Sequence, residues 1–349
     1  MNTYDTALVS GEITVMQGTR EQVLTNPLTG QGDRRTRHSD EADVEAAVNS
    51  ARAAYDTWSQ TDANTRRDVI EALAAKIEER ADDLANSISA EVGTPEKISK
   101  AVQVGLPVHV LRGFIADLDA ALASETIAHS TVTHRPIGVI AAITPWNYPL
   151  HQAMAKIGAA LAAGCALVVK PSELTPRTNA LMIEILAETT PAGTVNVVPG
   201  DAKTGRSLIE HEGIDAVSFT GSVDGGRAVA QAAAKSLKPC CLELGGKSAG
   251  IMLDDADPEI ALKAMVNGGL LNSGQTCNAL TRILVPHAML EGAAAQIGRL
   301  ADKMVSRLGP VISQDQYDRV QDFIIRAEKD DAVTLIAGGA GCPEGHEAG

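Results

Sequence analysis

From Ile137 to Leu244, short aliphatic and β-branched runs recur about every twenty to thirty residues, and the gaps between them carry helical periodicity. The runs are Ile137 to Ile143, Ala166 to Val169, Val195 to Val198, Ala216 to Phe219 and Cys241 to Leu244. Helical stretches lie between them at Ala153 to Ala163, Asn179 to Glu188 and Arg227 to Ser236. A strand buried on both faces reads as a continuous apolar run, and a helical crossover makes successive strands parallel. The alternation predicts an α/β fold built on a doubly wound parallel sheet with helices on both faces.

The flanks extend this frame. Residues from about 41 to 120 are Ala-rich and periodic, as in Ala46 to Ala54 and Ile70 to Leu84, and predict helices beside the sheet. Ser124 to Arg135, rich in Thr, Ser and His, reads as an exposed hairpin. After Glu243 a second α/β stretch begins, with strands at Gly250 to Leu253 and Arg282 to Val285 and helices at Pro258 to Asn267, near 288 to 306 and at 314 to 328. A chain of 349 residues exceeds one ordinary domain. We divide it into residues 1–242 and residues 243–349. Hydrophobic residues make up 44% and aromatics only 3%, so the cores should be aliphatic.

A formal charge of −14 opposes nucleic acid and anionic membrane surfaces as partners, because the long-range field repels polyphosphate. No apolar run approaches the roughly twenty residues of a membrane span, and Asp5 and Glu12 interrupt the amino terminus where a signal peptide would be apolar. The five cysteines, Cys165, Cys240, Cys241, Cys277 and Cys342, form an odd set with no paired C-x-x-C. They match neither a disulfide framework nor a zinc site, and they predict a reducing, cytoplasmic setting with Cys165, Cys240 and Cys241 in structural roles.

Cys277 is the exception. It ends the polar, irregular segment Asn272-Ser273-Gly274-Gln275-Thr276, which favours an accessible thiol over a buried one. Glu243, in Leu242-Glu243-Leu244-Gly245-Gly246-Lys247, is either a base for a water molecule or half of an ion pair with a basic residue such as Lys247. Asn147, in Thr144-Pro145-Trp146-Asn147-Tyr148-Pro149, is either a donor to a developing oxyanion or a turn residue. His151 reads as a helix-start residue without a catalytic part. Gly221-Ser222-Val223-Asp224-Gly225-Gly226 follows a strand and opens a helix, a place where backbone N–H groups can meet a pyrophosphate, although the pattern is not G-x-G-x-x-G. Lys170-Pro171-Ser172-Glu173 ends another strand and can bond ribose hydroxyls or form a solvated turn.

These segments together, in this order and with Cys277 34 residues after Glu243, resemble the NAD(P)-dependent aldehyde dehydrogenase superfamily from about residue 25 onward. The resemblance implies that a Cys277 thiolate attacks an aldehyde, that Glu243 activates the water releasing the acid, and that Asn147 with the Cys277 N–H holds the oxyanion. It implies a small-molecule aldehyde as substrate and NAD as cofactor, with NADP left open by Ser172 and Lys170 while the Glu173 carboxylate opposes a 2′-phosphate. Cofactor contacts are implied at Ile143, Thr144, Pro145, Trp146, Lys170, Ser172, Glu173, Gly200, Phe219, Thr220, Gly221, Ser222, Gly225, Gly226 and Leu244. No metal site is implied.

The family's pattern continues beyond Gly349, and the stretch from Gly338-Gly339 to Pro343-Glu344-Gly345 resembles the approach to a further strand. We therefore expect residues 243–349 to be the first part of a catalytic domain, with apolar faces exposed. We expect residues 123–136 to serve as an oligomerisation arm in a homodimer or homotetramer if the chain is complete. Two alternatives stand beside aldehyde oxidation to the acid: a truncated nucleotide-binding protein without catalysis, and an acylating dehydrogenase that passes the thioester to coenzyme A.

Overall fold

Residues 1–343 are described by a computed structural model; Glu344, Gly345 and Gly349 lie outside the described residues. The amino-terminal segment, where the apolar pattern is silent, forms five short strands: β1 (Asn2–Tyr4), β2 (Thr6–Val9), β3 (Glu12–Val15), β4 (Glu21–Thr25) and β5 (Gly32–Arg37). β2 and β3 pair antiparallel across Ser10 and Gly11, both left-handed at φ 56° and 80°. Only a two-residue loop of that hand matches the twist of its strands.

Helices follow as the periodicity predicts: α1 (Glu41–Trp58), α2 (Ala63–Glu79), α3 (Ala81–Val92) and α4 (Glu96–Ile98), then a π-helical turn at Ser99–Val104 and α5 (Gly105–Leu122). Asp40 caps α1 by accepting from the N–H of Ala42 and Asp43, and Asp43 answers by accepting from the Asp40 N–H. That reciprocal box satisfies donors that a helix start otherwise leaves open. One correction falls here. Taken through its short π turn, Glu96–Leu122 is long and apolar enough to cross a membrane by length and composition. In the fold it packs against α2 and α6 instead, with Leu111 and Leu118 buried and Arg112 paired to Glu71 and Glu78. The hairpin expected at Ser124 to Arg135 is present as β6 (Glu125–Ile127) and β7 (Ser130–Val132), antiparallel and exposed along its length.

The parallel sheet is built from β8 (Val139–Ile143), β9 (Ala166–Lys170), β10 (Val195–Val197), β11 (Ala216–Gly221) and β12 (Cys240–Leu244). The order β12-β11-β8-β9-β10 is continued by β2 and β3 as an antiparallel edge. The crossovers carry α6 (Pro149–Ala163), α7 (Pro176–Thr189), α8 (Ala202–Glu210) and α9 (Val223–Ala234). Pro at the first turn starts α6 and α7, and Gly164 ends α6 in the left-handed region at φ 79°. Val139, Ala141, Ile143, Ala166, Val168 and Val217 meet α1, α8 and α9 on one face, while α6 covers β8 and β9. Strand order reverses between β8 and β11, so their carboxyl ends flank the crevice where open α/β sheets take ligands.

The chain divides into two compact units. The first holds Met1–Leu24, Gly32–Glu91 and Glu96–Leu244, and the second holds Thr25–Gln31, Val92–Pro95 and the residues from Gly245 onward. Within the second, β13 (Ala249–Ile251) and β14 (Arg282–Leu284) pair in parallel beside α10 (Pro258–Leu270), α11 (Leu290–Met304) and α12 (Gln314–Glu328). Its core is small: Met252, Leu262 and Ala293, with Met265, Ile283 and Leu300 half-buried around them. Ile251, Leu253, Ile260, Leu284 and Phe323 are exposed.

Candidate functional site

At the switch point, Thr144 follows β8 and Thr220 lies near the end of β11, each one residue beyond the register pair Ile143–Phe219. Both are buried, and the Oγ1 of each has no hydrogen-bond partner. Two buried hydroxyls left without partners cost free energy that a polar ligand would return. Beside them β9 delivers Lys170, which is buried and donates through Nζ to the Gly200 carbonyl at 2.6 Å, with the Glu173 carboxylate 3.6 Å away. Burial pushes the Lys170 amine below its ordinary pKa, and Glu173 and Asp201 oppose that shift. Lys170, Glu173 and Gly200 thus form one polar cluster rather than a solvated turn, and Ser172 is buried within the same loop.

The glycine loop differs from the expectation that its N–H groups face a ligand. Gly225 N–H donates to the Ser222 hydroxyl at 3.0 Å and Gly226 N–H to the Ser222 carbonyl at 2.8 Å, as the first bonds of a capped α9. The glycines serve packing. A Cβ on Gly221 or Gly225 would stand 2.6 or 2.9 Å from the Phe219 ring, and one on Gly226 would stand 2.5 Å from Leu244 Cδ2. What remains for an anion at this end of α9 is the macrodipole and the N–H groups ahead of Gly225.

Asn147 lies in the turn between β8 and α6, after Pro145 and Trp146. Its Oδ1 accepts from the Tyr148 N–H at 3.1 Å, so Nδ2 is the amide's donating atom. Gln103 Nε2 donates to the Asn147 carbonyl at 2.9 Å. His151 Nδ1, one turn into α6, is buried without a partner, and burial depresses that imidazole.

Glu243 projects from β12 and is exposed, and no ion pair includes it among the described residues. Lys247 instead donates to the neighbouring Gly246 carbonyl, so no ion pair joins it to Glu243 among the described residues. Lys156, a residue the sequence reading passed over, donates to Ser218 on β11 at 2.8 Å. Burial lowers its amine, and Cys241 and Glu243 oppose that effect, which places the cation near the Glu243 face of β12. A lone cation in the apolar helix from Pro149 to Ala163 was the available signal. His38 offered none: it is buried, its Nδ1 has no partner, and burial lowers its pKa beside Asp201, Arg20, Glu173 and Lys170.

In the second unit, Asn272, Ser273 and Gly274 are successively left-handed, at φ 52°, 57° and 75°. For non-glycine residues this costs roughly 1–2 kcal/mol each, so side chains must hold the turn. Thr94 donates to Asn272 Oδ1 at 2.6 Å, Ser273 Oγ both donates to and accepts from the Gly309 backbone, and Gln275 Oε1 accepts from the Ile312 N–H. The result presents Cys277 exposed, with its thiol free and its own N–H without an acceptor among the described residues. A Cβ on Gly246 would lie 3.8 Å from the Cys277 carbonyl oxygen. Strain held in this way is typical of functional loops. Cys165 is buried, as a structural thiol should be, whereas Cys240 and Cys241 lie exposed on β12.

The chain matches the family model described as "Aldehyde dehydrogenase family" over residues 15–349. It is 38% identical over 365 aligned residues to 3-succinoylsemialdehyde-pyridine dehydrogenase of a Pseudomonas species, which covers 100% of this chain and 75% of that protein. Among solved structures it resembles a mutant of aldehyde dehydrogenase C of Pseudomonas syringae in complex with NAD+ and octanal, at 35% identity and a TM-score of 0.94. That alignment covers 99% of this chain and 73% of the other. An NAD+ complex of an aldehyde dehydrogenase from Bacillus cereus matches at 32% identity and a TM-score of 0.91, covering 97% and 72%.

Proposed function

This chain belongs to the aldehyde dehydrogenase family, and on that premise we propose that it oxidises an aldehyde to the carboxylic acid with NAD+. The observation that carries the proposal is Cys277, a free and exposed thiol following a strained turn. Cys277 Sγ bonds to the aldehyde carbon, and the carbonyl oxygen takes the developing negative charge. The Cys277 N–H and Asn147 Nδ2 donate to that oxygen. The chemistry a nicotinamide supplies is acceptance of one hydride, which leaves the cysteine adduct as a thioester. Glu243, exposed on β12, takes a proton from the water that attacks this thioester, and Cys277 departs as thiolate.

Thr144, Thr220, Lys170, Ser172, Glu173 and Gly200 fit such a cofactor: the first two supply orphaned hydroxyls at the switch point, and the rest form a polar cluster at the end of β9. Ile143, Pro145, Trp146, Phe219, Gly221, Ser222, Gly225, Gly226 and Leu244 complete its walls. The Glu173 carboxylate favours NAD over NADP by repulsion of a 2′-phosphate. Residues 1–242 act as the cofactor domain and residues from 243 begin the catalytic domain. The β6–β7 hairpin is the oligomerisation arm, and the free cysteines support a reducing, cytoplasmic setting.

Glu243→Gln provides the test. Incubated with NAD+ and aldehyde, this variant should accumulate an acyl adduct on Cys277 visible in the mass of the Cys277 peptide. With coenzyme A added, undiminished turnover of Glu243→Gln together with an acyl-coenzyme A product would replace hydrolysis by acyl transfer.

A further inference from the structure

Gln103 lies in the π-helical turn Ser99–Val104, where the Gly105 N–H reaches back five residues to the Lys100 carbonyl. The extra residue rotates the following helix by about 100° relative to an unbroken α-helix. Such bulges are uncommon and recur at functional sites. Gln103 is 0% exposed, and a buried amide in an apolar helix is costly unless its hydrogen bonds are used. Its Nε2 donates to the Asn147 carbonyl at 2.9 Å.

The carbonyl of Asn147 is held by Gln103 and its side-chain Oδ1 by the Tyr148 N–H. Those two bonds fix the peptide plane and the amide from which Nδ2 points. We propose that Gln103 is a positioning residue for Asn147, clamping its backbone so that Nδ2 is aimed at the oxyanion of the substrate. The proposal rests on the reading of Asn147 as the oxyanion donor. A donor is effective only within about 2.7–3.1 Å of the developing charge, and misplacement by about 1 Å can cost on the order of 100-fold in rate. A turn anchored only by its own strand and helix would leave that precision to the Asn147 rotamer.

Two variants test this. Gln103→Met keeps the length and much of the volume but removes the donor; Gln103→Glu restores an O–H donor only when its carboxyl is neutral. The first turnover of reduced nicotinamide is followed by rapid mixing, with rates divided by the number of reactive Cys277 thiols so that misfolded protein does not count. Gln103→Met should be slower by roughly 10- to 100-fold per active thiol, with KM for the aldehyde and affinity for NAD+ changed less than about threefold. Burial raises a carboxyl's pKa, so the rate of Gln103→Glu relative to Gln103→Met should climb as pH falls and the acid becomes neutral. A purely structural role would lower thermal stability and the number of active thiols without changing the rate per thiol, and that outcome overturns the proposal.

Should wild type form no reduced nicotinamide, the aldehyde-oxidation reading fails and the clamp is read directly. In protein labelled with 15N-asparagine, the Asn147 side-chain amide resonance should move or broaden in Gln103→Met. An unchanged resonance refutes the clamp.

Discussion

Helix α7 starts without a cap of its own, because the side chain of Thr175 makes no capping bond. Glu91, at the end of α3 and fully buried, serves in its place: it accepts from the N–H of Arg177 at 2.7 Å, the N–H of Thr178 at 2.9 Å and the Thr178 hydroxyl at 2.7 Å, with Arg34 3.6 Å away. Glu91→Gln keeps the shape but exchanges one acceptor oxygen for an NH2 that faces donors. One buried backbone N–H is then orphaned, at about 1–3 kcal/mol, and attraction to the helix terminus worth roughly 0.3–1 kcal/mol is lost. Relief from burying a charge offsets part of this, leaving a net loss of about 2 kcal/mol. At roughly 2–4 °C per kcal/mol for a unit of this size, Tm should fall by about 4–8 °C. Because burial raises the Glu91 pKa in the folded state, the acid's contribution is full below its unfolded pKa and is lost as pH rises through the folded one. The gap in unfolding free energy between wild type and Glu91→Gln should therefore narrow from acid toward neutral and alkaline pH in urea titrations. Equal Tm values would refute the capping argument, and a gap that widens with pH would refute burial as the dominant influence on the Glu91 carboxyl.

Thr94→Val removes the donor to buried Asn272 and should destabilise the protein by about 1–2 kcal/mol in denaturant titration. It should also change the rate at which a thiol reagent labels Cys277. Gly226→Ala places a methyl 2.5 Å from Leu244 Cδ2 and should cost roughly 1–3 kcal/mol by overpacking, read as a lower Tm, while weakening NAD+ binding in calorimetry. Asn147→Ala should lower kcat by about 100- to 1,000-fold with KM nearly unchanged, as expected for a donor used only as charge develops.

The parallel sheet was legible because β8, β9 and β10 are buried runs whose composition alone separates them from the helices between. Cys277 was legible because its polar, glycine-containing approach is visible locally. The strands β1 to β5 were not: β5 is Gly-Asp-Arg-Arg-Thr-Arg and alternates Arg34 and Thr36 inward without an apolar signal. Nor were the long-range devices, in which partners meet across distant sequence: Glu91 with α7, Gln103 with Asn147, and Thr94 with Asn272. The glycines of 221–226 were visible but ambiguous, since a glycine that admits a phosphate and one that admits a phenyl ring look alike in sequence. Only the Phe219 contacts separate them.

The most direct test is the formation of reduced nicotinamide by the purified chain with NAD+ and a panel of aldehydes, measured beside Cys277→Ala. Turnover by wild type with an equal yield of carboxylic acid, abolished in Cys277→Ala, is the predicted result. Turnover that survives Cys277→Ala, or none at all from wild type that still binds NAD+, would contradict covalent catalysis by this thiol.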